Sequence, residues 1–154
     1  MTMARINVVD GTIERTAAGG IHGCVFLEVG DQRFPDEHWR DFVVVLLGWW
    51  CRALSRCLEG DPGPIDIHFM EGPYLVELGH ASSGTLRLAL VERGRVRRTV
   101  VEAVVESRAL IDSALVACTR VLALCRENGW WSDDTDELGG ASADLKRSLL
   151  CSVN

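Results

Sequence analysis

The amino-acid sequence predicts an α+β fold: an antiparallel sheet of about six or seven strands, two long helices packed on one face, and a short C-terminal helix. Three observations predict it. Strand-like segments come first, a helix interrupts them, more strands follow, and a helix closes the series. Two long segments carry apolar residues at the 3-4 spacing of a helix face. Between them lie four short strand-like runs separated by turns.

The elements follow in order. Ile6 to Val9 leads into Asp10-Gly11, a hairpin signal, with Thr12 to Thr16 as the expected return strand. Cys24 to Val29 is a third strand, closed by Gly30-Asp31. A helix is then expected over 36–58, with Asp36 as N-cap and Glu37 and Asp41 near its positive end. Trp39, Phe42, Val43, Leu46, Trp50, Ala53, Leu54 and Cys57 form its stripe. Val44, Val45, Leu47 and Trp49 lie off the stripe, so the first half of this helix needs cover on a second side, from another helix or a partner chain.

The meander spans 65–103, with strands at Ile65 to Met70, Tyr74 to Leu78, Thr85 to Val91 and Val96 to about Ala103. A second helix over 106–127 ends at Asn128-Gly129, a C-cap signal. Trp130-Trp131, an acidic run, Gly139-Gly140 and a short helix from about Ser142 to Leu150 complete the chain. Residues 1–154 therefore read as a single domain, with N-terminal strands over 1–33 and an acidic segment plus short helix over 130–154.

Composition limits the function. Hydrophobic residues make up 47% and charged residues 25%, so the chain can build one core without a disulfide or metal. A net charge of −6 argues against non-specific nucleic-acid binding and suits a basic protein partner. The six cysteines include no CxxC pair and read as reduced thiols in a cytoplasm. Met1 to Asp10 is not a signal peptide, and the longest apolar run, Phe42 to Cys51, is too short to cross a membrane.

No catalytic set, metal site or cofactor site emerges from the motifs. His22, His38, His68 and His80 show no metal-ligand spacing, and His68 reads as a surface or hydrogen-bonded histidine rather than a base. The glycines lack a P-loop lysine or a GxGxxG context. Asp36 and Glu37 read as helix caps and Asp41 as exposed or bound to a neighbouring arginine, with paired acids for general acid-base work as the alternative. Arg87, Arg93, Arg95, Arg97 and Arg98 read as a solvated sheet face, with binding to a phosphate or an acidic partner as the alternative. Among five tryptophans, Trp49 and Trp131 are the interface candidates, joined by the acidic run Asp133, Asp134, Asp136 and Glu137. The bland reading of that run is a solvated tail.

The segment Phe34-Pro35-x-x-x-Trp39-x-Asp41-Phe42, with Trp50 further on, resembles a family of small bacterial immunity proteins. These are encoded beside polymorphic or contact-dependent growth-inhibition toxins. Phe69-Met70-Glu71-Gly72-Pro73-Tyr74 and Cys125-x-x-x-Gly129-Trp130 are similar too. The resemblance implies an α+β protein that binds and neutralises a cognate toxin domain without catalysis, and it does not name the toxin; the acidic charge suits a basic nuclease. It transfers no binding residues. Two other readings compete: a self-associating accessory subunit forming a homodimer through Val43 to Trp50, and a small-ligand enzyme gathering His68, His80 and nearby acids in one pocket.

Overall fold

The structure, a computed structural model, describes residues 1–152. It is α+β with antiparallel sheets and three helices. The first sheet contains β1 (Ala4–Val8), β2 (Glu14–Arg15), β3 (Ile21–Val29), β4 (Gln32–Phe34) and β5 (Arg40–Phe42). Helix α1 (Val43–Leu58) follows directly. The second sheet is a meander in sequence order: β6 (Ile65–His68), β7 (Tyr74–Ser82), β8 (Thr85–Arg93) and β9 (Arg97–Glu106). Helices α2 (Ser107–Glu127) and α3 (Asp133–Ser152) close the chain.

The single sheet expected from the sequence is thus two sheets, of five and four strands. The cause lies in β3, whose nine residues pair with β1, β2, β4 and β5. The expected hairpin at Asp10-Gly11 is also overturned. β1 and β2 are both antiparallel to β3, so they run in the same direction. Asp10-Gly11 is a turn, with Gly11 at φ 84°, but it offsets the chain along β3 without reversing it.

Helix α1 starts at Val43, six residues later than Glu37. Residues Arg40 to Phe42 pair with Cys24 to His22 of β3, and Val25 donates its N–H to Trp39 C=O (2.9 Å). Sheet pairing wins over the first helical turns because β3 offers unfilled backbone partners. Asp36 caps a turn instead, accepting from His38 N–H at 2.7 Å. Trp39 is therefore not a helix residue. With Phe34, Phe69 and Tyr74 it forms an edge-to-face aromatic cluster, centroids 5.2 to 6.2 Å apart.

Asp41 is fully buried, contrary to its reading as an exposed helix-end acid. Its carboxylate accepts from Phe42 N–H (2.7 Å), Trp39 Nε1–H (3.1 Å) and Glu71 N–H (3.1 Å). It ties the start of α1 to the loop between β6 and β7, across the two sheets. Phe34, Trp39, Asp41, Phe42, Phe69, Glu71 and Tyr74, seven of the residues quoted for the resemblance, thus pack or hydrogen-bond inside the fold.

One core joins both sheets and all three helices, running from Ala4 and Leu27 through Leu47, Leu54 and Leu88 to Leu110 and Leu138. Helix α1 packs against α3, α2, β3 and β6. Val43, Val44, Leu46, Leu47 and Trp50 are buried within this one chain, so α2 and α3 supply the second-side cover that a partner chain was invoked for. Within Val43 to Trp50, Trp49 alone stays exposed.

Helix α3 is the largest departure. The short helix expected at Ser142 to Leu150 begins at Asp133 and runs 20 residues, so the acidic run is its first turn and Gly139-Gly140 its middle. Thr135, Leu138, Ala141, Ser142 and Leu145 are buried beneath it. Gly139 has no positive φ, and an added Cβ there would meet nothing within 4 Å. Gly139→Ala is expected to raise stability by about 0.5–1 kcal/mol, from the helix preference of alanine and its smaller unfolded-state entropy. Thermal unfolding of the two proteins checks this; a lowered midpoint refutes it.

Candidate partner-binding surface

Helix α3 opens at Ser132. Its N–H donates to Thr135 Oγ1 (2.7 Å), and its C=O accepts from Asp136 N–H (3.1 Å). Thr135 is buried, so the corner is anchored. Asp133, Asp134 and Asp136 then stand at the positive end of the helix dipole, which favours their charge. Trp131 lies just before this turn and is 43% exposed. Its Nε1–H donates to Asp136 Oδ1 (2.7 Å), and the Arg126 guanidinium sits 4.9 Å from its ring centroid. The indole is therefore held in one orientation, with one face covered by a cation.

The remaining sequence candidates divide. Asp133 and Asp134 are exposed beside Trp131. Glu137 is engaged elsewhere, accepting from Arg52 Nε–H and Nη2–H at 3.2 and 2.9 Å. Arg52 also donates to Asp144 (2.6 Å), which bolts α1 to α3. Trp49 is 41% exposed on α1 and lines a groove with Arg52, Ala53, Arg56 and residues 65–68. The structure thus gathers Trp131, Asp133, Asp134 and Asp136 at one corner. Trp49 lines the groove beside β6, and Glu137 is spent on an internal ion pair.

Sequence reading missed Arg126 and Arg52. Arg52 meets Glu137 and Asp144 only once α3 has folded back on α1, and Arg126 meets Trp131 across the turn that ends α2.

The five arginines of the cluster are all exposed; within the sheet Arg97 pairs with Glu77 and Arg98 with Glu92. Compared with known proteins, the chain matches no family model, no curated protein and no solved structure.

His68 and His80 line different cavities, the first with Trp49 and Arg52, the second with Ser82, Ser107 and Arg108. Among the described residues, no group of three or more His, Cys, Asp or Glu side chains is placed to hold a metal ion. No helix among them is long and apolar enough to cross a membrane.

The thiols are set for packing. Cys24, Cys51, Cys57, Cys118 and Cys125 are buried. Burial, then the nearby Asp61 carboxylate, pushes the Cys57 thiol up to about 11. Cys51 and Cys118 stand Sγ to Sγ at 3.5 Å between α1 and α2. That hydrogen bond, followed by burial, raises Cys118 strongly, which keeps its thiol protonated and unreactive.

Proposed function

We propose that the chain is a non-catalytic binding protein that neutralises a cognate bacterial toxin domain. The observation that supports this best is the corner at the start of α3. A tryptophan fixed by Asp136 and Arg126 stands half-exposed beside the free carboxylates of Asp133 and Asp134. A rigid aromatic loses little entropy on binding, which is why tryptophan dominates binding hot spots. Carboxylates around it steer a basic partner, in keeping with the net charge of −6. That the partner is a toxin domain rests on the resemblance of residues 34 to 131 to immunity proteins.

The test is co-expression with the C-terminal domain of a large secreted protein encoded next to this chain. Growth rescue with a stable one-to-one complex is the expected result. Trp131→Ala is then expected to weaken the complex by about 2 kcal/mol or more, the loss typical of a hot spot. Asp133→Lys with Asp134→Lys should slow association and reduce its salt dependence. A complex formed at wild-type affinity by both variants would place the interface elsewhere. Absence of both rescue and binding would end the reading.

A further inference from the structure

Strand β6 is the outer strand of the meander and pairs only with β7. Phe69 N–H donates to Tyr74 C=O at 3.1 Å, which sets the alternation along the strand. Ile65, Ile67 and Phe69 turn their backbone groups toward β7; Asp66 and His68 turn theirs outward. Among the described residues, none takes up the N–H or C=O of Asp66 or His68 at that edge.

The side chains here are unsatisfied in a matching way. Ile65 and Ile67 enter the core, so Asp66 and His68 stand on the opposite face. Asp66 faces Glu77 across the strand pair, a like-charge contact, and Arg97 serves Glu77. Asp66 has no ion-pair partner among the described residues. Nδ1 of His68 lies 3.5 Å from Arg93 Nη1. A lone pair belongs toward that cation, which leaves the imidazole N–H on Nε2, free to donate. Beside the strand, Trp49 and Arg56 wall a groove of about 390 Å³.

We propose that a second copy of this chain completes the edge. Its β6 pairs antiparallel with the first about a two-fold axis at Ile67, joining two four-stranded sheets into one. In that register Asp66 faces His68 of the other copy on both sides of the axis. Each such pair exchanges two backbone hydrogen bonds and sets a carboxylate against an imidazole N–H. Charged residues on a short edge strand usually repel copies of themselves. Here the acid and the base stand one residue either side of the axis, so the edge is complementary to itself and to no like-charged strand. The exposed Trp49 rings flank the joined strands.

The joined strands are short, so a dimer with a dissociation constant on the order of tens of micromolar is expected. Sedimentation velocity from about 1 to 300 μM should show monomer converting to dimer. Asp66→Lys removes the carboxylate that the imidazole N–H meets, and His68→Asp sets two carboxylates across the axis, so each alone should weaken the dimer by at least about tenfold. Mixed one to one, the two variants should associate again, because the new lysine meets the new aspartate and the native Asp66 meets the native His68. Both positions face solvent, and matching thermal unfolding of the variants verifies their fold. A wild-type protein that stays monomeric throughout overturns the proposal. So does a dimer indifferent to both substitutions, or variants that do not recover on mixing.

Discussion

Asp41→Ala is expected to cost about 3–5 kcal/mol of folding stability, a third or more of what a domain of this size has. The side chain is 0% exposed and accepts three N–H donors, two from the backbone and one from the Trp39 indole. Alanine leaves all three donors without their acceptor, and each orphan that water cannot reach costs about 1–3 kcal/mol. Asn preserves shape and one carbonyl oxygen, so Asp41→Asn should lose about half as much. Urea unfolding measures both, as a lower midpoint at unchanged slope. A loss below about 1 kcal/mol for alanine would mean that the donors reach water and that the clasp between the sheets is superficial.

The second large effect concerns α3. Leu138→Ala should destabilise by about 2–5 kcal/mol, through lost apolar transfer and a cavity that a packed interior closes only in part. Leu138 is fully buried in the main core, with Ala141 and Leu145 three and seven residues on along the same face. A peripheral tail, as the acidic and glycine-rich sequence suggests, would lose little. An effect below about 1 kcal/mol would therefore return α3 to that status.

How legible this fold is depends on where each signal resides. Helix α2 is readable because Leu110, Ile111, Ala114, Cys118, Val121, Leu122 and Cys125 repeat at helical spacing over a single buried face. The strand order of the meander is readable because its turns and its alternation are local. Residues Arg40 to Phe42 defeat local reading: their apolar spacing continues into α1, and only the distant β3 makes them a strand. Gly139-Gly140 misleads in the other direction, since each glycine penalises a helix by about 1 kcal/mol that burial of Leu138 and Leu145 outweighs. For the candidate surface, the place of Trp49 off the stripe reads from the sequence, although Val44 and Leu47 share that place and are buried. The corner at Trp131 does not, because its geometry depends on Arg126 and Asp136 meeting the ring from two helices.

The pairing pattern of β3 has a consequence for robustness. In network language it is a hub: β1, β2, β4 and β5 each find their ladder on it. The meander is a chain of links, which can lose β6 and keep β7 to β9 paired. A hub has no such graceful failure. Any event that opens β3 releases four neighbours at once, so its amides should exchange with solvent only when the whole molecule opens. Its inward side chains tolerate the least variation, while the outer links of the meander remain free to change with whatever they meet.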